Sequence, residues 1–258
     1  MIDVLSLMSG RWYAFNHYLY GLKNLDWPKE DLRIIWYSNA NDMFIEHLAQ
    51  VEKSMRKEGW NVETVVDQSL ACSELALRED GYTPNHSNTI TAIYNAAWTQ
   101  VENDNVLLLE DDICAPSFSL QRFMPIMDKN QNAASVGGIV LDRHTNHKII
   151  MGAWDITEDF RVKDDKPLFL KNVCPPRKTY GVQKVAGIGF GDTLIRRSRL
   201  PNNINGIHPF KTAIEWPEWE TIINCDKILG IEINQGGKEV YADFETRPGH
   251  IDSRGTFR

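Results

Sequence analysis

The run Val106-Leu107-Leu108-Leu109 is wholly apolar and stops abruptly at three consecutive carboxylates, Glu110-Asp111-Asp112. Four apolar positions without alternation fit a strand buried on both faces of a parallel sheet. In such sheets ligands gather outside the carboxyl ends of the strands. Three adjacent acids at that edge repel one another unless a cation sits among them or water reaches them. Hard divalent ions such as Mg²⁺ and Mn²⁺ take carboxylate oxygens and commonly share their remaining positions with substrate phosphates. On this segment alone two readings stay open: a metal–diphosphate site on a sheet edge, and a solvated acidic turn.

The pattern around the run favours the sheet. Val4–Leu7 reads as a first strand, Ser9-Gly10-Arg11 as a loop, and Trp12–Leu25 as a helix by its apolar spacing. Leu32–Tyr37 is a second strand, and Asp42 is placed to cap a helix over Met43–Glu58 that Gly59 ends. Val62–Val66 is a third strand, and a helix over Thr89–Gln100 leads into the apolar run. This β-α-β-α-β order predicts a largely parallel, doubly wound sheet. Beyond Asp112 the spacing predicts a helix over Phe118–Met127 and strands over Ala134–Leu141, Ile149–Trp154, Lys184–Ile195 and Lys238–Phe244. A helix over Glu218–Leu229, closed by Gly230, is expected between the last two, and Asp155–Tyr180 reads as a crossing loop or a hairpin insert.

Composition narrows the class. A chain of 258 residues with 42% hydrophobic and 24% charged residues can bury a core without disulfide or metal staples. The formal net charge of −7 speaks against general binding to nucleic acid or anionic membrane. No stretch approaches the length of an apolar membrane span and no secretory leader is legible, so a cytoplasmic protein is expected. Cys72, Cys114, Cys174 and Cys225 are scattered without a paired motif and read as free thiols.

Taken together, several segments resemble the GT-A fold glycosyltransferases, in particular their family-2-like branch. Asn95-Ala96-Ala97 resembles that family's helix ahead of the strand, and Glu110-Asp111-Asp112 stands where many members carry a DxD metal motif. Val136-Gly137-Gly138 resembles the glycine pair of the next strand. Gly187-Ile188-Gly189-Phe190-Gly191-Asp192, followed by Arg196-Arg197-Ser198, is similar to the acceptor-side strand. Glu218 falls where the family has a Glu-Asp pair opening a helix, and His250 where a late histidine serves as an extra metal ligand. Two departures stand out. Ser38-Asn39-Ala40-Asn41 replaces an Asp-rich base-reading tract, and Glu218-Trp219 replaces the Glu-Asp pair.

The resemblance implies an α/β, GT-A-type Rossmann-like sheet with helices on both faces, in a single domain over residues 1–258. Residues 1–112 would form the donor half, and residues 113–258 the acceptor half and C-terminal tail. It implies an enzyme moving a sugar from a nucleoside diphosphate, with a UDP-sugar the expected donor, to an acceptor hydroxyl. Asp112 is the expected direct ligand of Mn²⁺ or Mg²⁺, with Asp111 and His250 assisting. Ser9, Gly10, Arg11, Asn39, Asn95, Glu110, Asp111 and Arg247 are expected at the donor, and Glu218, then Glu220, as the base. Direct displacement by the acceptor inverts the anomeric carbon; retention is the other outcome the sequence permits. The bland readings are a first-turn acid for Glu218, a surface histidine for His250, packing for Gly187, Gly189 and Gly191, and core for Trp154, Trp216 and Trp219. Two other functions compete. A sugar-nucleotide nucleotidyltransferase would need a richer loop than Ser9-Gly10-Arg11, and a non-catalytic carbohydrate- or nucleotide-binding protein would have little use for three acids.

Overall fold

The computed structural model describes residues 1–70, 84–140, 152–156, 162–163, 166–167, 173–174, 180–201, 209–210 and 225–255. Its first part follows the predicted alternation: β1 (Ile2–Met8), α1 (Trp12–Lys23), β2 (Leu32–Ser38), α2 (Asp42–Lys57), β3 (Asn61–Val66), α3 (Pro84–Trp98) and β4 (Asn105–Leu109). The chain continues through β5 (Ile113–Cys114), α4 (Ser119–Lys129), β6 (Ala133–Gly138) and β7 (Ala153–Ile156). Next come the short strands β8 (Val162–Lys163), β9 (Lys166–Pro167) and β10 (Val173–Cys174), then β11 (Val182–Val185), β12 (Gly187–Ile188) and β13 (Asp192–Arg196). Helix α5 (Cys225–Gln235), β14 (Glu239–Asp243) and β15 (Gly249–His250) complete the described order.

Eight strands form one sheet in the order β11-β14-β6-β13-β4-β1-β2-β3. The β4-β1-β2-β3 half is parallel, as expected. The other half is mixed: β13 runs antiparallel between β4 and β6, and β11 lies antiparallel on the outer edge of β14. An apolar run such as Leu194-Ile195 reads the same in either direction, so periodicity alone left this reversal hidden. Helices cover both faces. Side chains of α1, α2 and α4 pack with Val4, Ile34, Leu107 and Leu109 on one face. Those of α3 and α5 pack with Leu5, Ile35, Val106 and Leu108 on the other. The Val106–Leu109 run is thus buried on both sides, which explains why it carries no polar alternation.

Several boundaries move for identifiable reasons. Asn41, not Asp42, caps α2: its backbone is extended and its side chain accepts the Phe44 amide at 3.0 Å. Asp42 then becomes a first-turn acid, favoured by the helix dipole. The expected helix start at Glu218 lies outside the described residues; helix α5, described over Cys225–Gln235, runs straight through Gly230, the expected stop. A Cβ there would lie 2.7 Å from the Gly187 Cα and 2.8 Å from the Ala186 carbonyl oxygen, so the glycine is a close-packing residue against β12 and not a stop. The helix ends instead at Gly236-Gly237, where Gly237 has φ of +73° and the Lys238 amide bonds back to the Ile233 carbonyl. The expected Lys184–Ile195 strand is three strands, β11, β12 and β13. Within 155–180 the described pieces are antiparallel: β8 pairs with β9 and β10 with β7, as in a hairpin insert.

Candidate functional site

Strand β4 delivers Glu110-Asp111-Asp112 to the carboxyl edge of the sheet, between the ends of β1 and the start of β13. The turn is fixed by the Glu110 amide on the Gly191 carbonyl and the Ile113 amide on the Glu110 carbonyl. Asp111 and Asp112 are only 2% and 1% exposed, so the solvated-turn reading fails. Their negative charge is met by other parts of the chain.

The first loop supplies most of the compensation. The Ser9 amide and hydroxyl both donate to Asp111 Oδ2, at 2.7 and 2.8 Å. Arg11 Nη1 donates to Asp111 Oδ1 at 2.7 Å and lies 2.9 Å from Asp112 Oδ2. Gly10 makes the bend between them, with φ of +89° and an Ala40 methyl 3.3 Å from where a Cβ would be. Burial works against the guanidinium's charge, but Asp111, Asp112 and Glu110 outweigh it and hold Arg11 firmly protonated.

The tail closes on the acids from the other side. Strand β15 pairs antiparallel with β5, setting His250 opposite Ile113, and the Ile251 amide donates to the Asp112 carbonyl at 2.9 Å. This strap brings His250 Nε2 to 3.4 Å from Asp112 Oδ2. Arg247, on the same tract, is exposed and donates through Nε to the Phe244 carbonyl at 3.2 Å.

Glu110 faces a different neighbourhood. Burial, reinforced by the charges of Asp112 and Asp226, pushes its carboxyl up to about 7, against the pull of Arg11 and His250. The Tyr94 hydroxyl lies 3.4 Å from Glu110 Oε1. Asp226, in the first turn of α5, has its carboxyl raised chiefly by burial, with Lys227 opposing. Asp226, an acid that reaches Glu110's surroundings from α5, was not singled out in the sequence. Its only local signal is an aspartate just ahead of the apolar positions Ile228, Leu229 and Ile231.

The other expected residues distribute as follows. Asn39 follows the end of β2, whose last residue Ser38 bonds through its hydroxyl to the Met8 carbonyl just before Ser9. Asn95 commits its amide to the chain, donating to the Phe210 carbonyl at 2.7 Å and accepting the Phe210 amide at 2.9 Å. Trp154 is buried on β7, its ring filling the space beside Gly187. Glu215, Trp216, Glu218, Trp219 and Glu220 lie outside the described residues. Arg196 and Arg197, which read as solvated strand-end residues in the sequence, and with them Arg199, are braces at the far edge of the sheet: they bond to Asn105, to the Val101 carbonyl, and to the Met127, Asn130 and Ala133 carbonyls, respectively.

Among the described residues no three His, Cys, Asp or Glu side chains converge as a finished metal cage. The donor chemistry nevertheless suits a divalent ion of the Mn²⁺ type: a hard oxygen of the buried Asp112 carboxylate lies 3.4 Å from the His250 imidazole nitrogen, and the positive charge beside it is a guanidinium. Among the described residues no helix is long and apolar enough to cross a membrane.

No protein-family profile and no curated protein sequence matches the chain. Solved structures do. S. aureus TarS 1-349 in complex with UDP-GlcNAc aligns over 96% of this chain and 57% of its own, with a TM-score of 0.53 at 10% identity. The mannosyltransferase PcManGT from Pyrobaculum calidifontis, in complex with GDP-Man and Mn²⁺, aligns over 98% of this chain and 58% of its own, with a TM-score of 0.60 at 11% identity. GalNAc-T7 with UDP, GalNAc and Mn²⁺ aligns over 97% and 43%, with a TM-score of 0.59 at 12% identity. The chain therefore spans less than two thirds of the length of each of these proteins. The mixed sheet, the helices on both faces and these alignments identify the chain as having the GT-A fold of glycosyltransferases.

Proposed function

We propose that the chain is a metal-dependent glycosyltransferase that moves a sugar from a nucleoside diphosphate to an acceptor hydroxyl. The observation that carries this reading is the approach of His250 to the buried carboxylate of Asp112 at the carboxyl edge of β4. Similar folds with UDP-GlcNAc, GDP-Man and Mn²⁺ bound support it. Asp112 and His250 would hold the ion, with Asp111 beside them; Mn²⁺ is favoured over Mg²⁺ by the nitrogen donor. When bound, such an ion acts as a Lewis acid on the leaving diphosphate. UDP is the favoured nucleotide, with Ser9, Gly10, Arg11, Asn39 and Glu110 on the donor side and Arg247 available to a phosphate oxygen.

Removal of the acceptor proton falls to a carboxylate. Asp226 is the acid whose surroundings favour it: a raised pKa beside Glu110 and an approach from the acceptor-side helix. Glu218 and Glu220 are the alternatives. Attack by an acceptor activated in this way inverts the anomeric carbon. Residues 1–112 act as the donor half, the remainder as the acceptor half, and the site of action is the cytoplasm.

The test is nucleotide release from a panel of UDP-, GDP-, CMP- and TDP-sugars with Mn²⁺. Asp112→Asn is expected to lose turnover by about 10²-fold or more while remaining folded. Asp226→Asn, compared with Glu218→Gln, identifies the base by a loss of about 10²–10⁴-fold in one of them. Full turnover in Asp112→Asn would remove the metal from the account.

A further inference from the structure

The positive charge between Asp111 and Asp112 belongs to the chain itself. Arg11 Nη1 lies 2.7 Å from Asp111 Oδ1 and 2.9 Å from Asp112 Oδ2. The Asp112 oxygen it faces is the one that His250 Nε2 approaches at 3.4 Å. One carboxylate oxygen therefore serves both the guanidinium and the imidazole. A divalent ion coordinated by that oxygen and His250 enters the volume beside Arg11, where like charges repel strongly in a buried setting. Asp111 is held differently. Its Oδ2 keeps the Ser9 amide and hydroxyl whatever Arg11 does, so the first loop has an anchor independent of the guanidinium. The Arg11 side chain is one-third exposed, at 33%, which leaves it a route toward water.

We propose that Arg11 is a resident counter-cation which a divalent ion must displace from Asp112 in order to bind. This rests on reading Asp112 as a metal ligand. Without metal, the guanidinium pairs with two buried acids, offsetting part of their charge, and closes the site on itself. With metal, the ion takes over that charge and Arg11 gives up Asp112. Metal affinity is then set by competition inside the chain, and removing the competitor changes two properties in opposite directions. The metal-free protein loses stability, because buried carboxylates are left uncompensated. The ion binds more tightly, because it no longer displaces anything. A purely structural brace at Arg11 would give the first change without the second.

Titration of the full chain with Mn²⁺ alone, read as free Mn²⁺ by electron paramagnetic resonance, tests this in the wild type, Arg11→Gln and Asp112→Asn. Arg11→Gln is expected to bind Mn²⁺ at least tenfold more tightly than wild type, and to melt lower without metal by a gap that narrows in Mn²⁺. Asp112→Asn is expected to lose binding. If Asp112→Asn loses binding but Arg11→Gln binds no better than wild type, the competition is refuted and the metal reading stands. If Asp112→Asn binds as wild type does, or if neither wild type nor Arg11→Gln binds, both fall. Should Arg11→Gln fail to fold, the wild type decides by the arginine Nε–Hε resonances in a titration with diamagnetic Mg²⁺. One resonance, absent in Arg11→Lys, must shift with saturation; a spectrum that stays fixed while Mg²⁺ binds overturns the proposal.

Discussion

Asp111 accepts three hydrogen bonds from residues about one hundred positions earlier, and this clasp ties the first loop to the end of β4. Ser9→Ala removes one hydroxyl donor from a buried carboxylate and keeps the amide. It is expected to cost about 1–3 kcal/mol in denaturant unfolding; a loss near zero would mean that the clasp is not formed in solution. A second buried acid gives a pH signature. Asp192, at the start of β13, accepts the Ser119 hydroxyl on Oδ2, while its Oδ1 finds no donor among the described residues. Burial pushes its carboxyl up to about 7, with the Ser119 hydroxyl opposing and the charge of Asp243 reinforcing. The folded state therefore keeps a proton that an unfolded chain, with the ordinary value of 3.8, has released. Stability falls as pH rises from about 4 to about 7 and stays reduced above that. Asp192→Asn should melt several degrees above wild type at pH 8 and lose that advantage by pH 4; a gap independent of pH would refute the ionisation of Asp192.

At the scale of elements, close backbone approach decides what local patterns leave ambiguous. Gly230 was legible as a glycine near the end of an apolar stretch, and its ordinary reading is a helix stop. The tertiary contact with Gly187 and Ala186 makes it a mid-helix packing residue instead. Gly230→Ala is expected to destabilise by about 1–3 kcal/mol, since the obstacle is backbone and cannot rotate away. Thermal melts read this directly, and an unchanged or higher Tm would show that α5 sits farther from β12. The same distinction between local and distant information sets how far the sequence could be read. Strands β1 to β4 and helices α1 to α3 announce themselves because each carries its own period and breakers. The acid triplet announces itself because three carboxylates at the end of a buried strand need an explanation. The antiparallel insertion of β13, the clasp of Arg11 on Asp111 and the approach of Asp226 to Glu110 are relations between distant segments, and no local pattern encodes them.

Across the whole molecule, the first loop and the C-terminal strap meet at one point. The first loop reaches the acid triplet through Ser9 and Arg11, and the tail reaches it through His250 and Ile251. Ile251 is fully buried and its amide bonds to the Asp112 carbonyl, so the strap is both packed and pinned. Ile251→Pro deletes that donor. It is expected to lower stability by about 1–3 kcal/mol and to weaken Mn²⁺ binding together, because His250 is no longer held beside Asp112. Stability lost without any change in Mn²⁺ affinity would place His250 outside the ion's reach.

The proposal that the acids ending β4 hold a divalent ion against a diphosphate calls for a direct look at the loaded site. Anomalous diffraction from crystals grown with Mn²⁺ and UDP tests it most directly. A manganese peak within about 2 Å of an Asp112 oxygen and near His250, with the diphosphate on its open side, is expected. An empty corner, with Arg11 still bridging Asp111 and Asp112 while UDP is bound elsewhere or not at all, would contradict it.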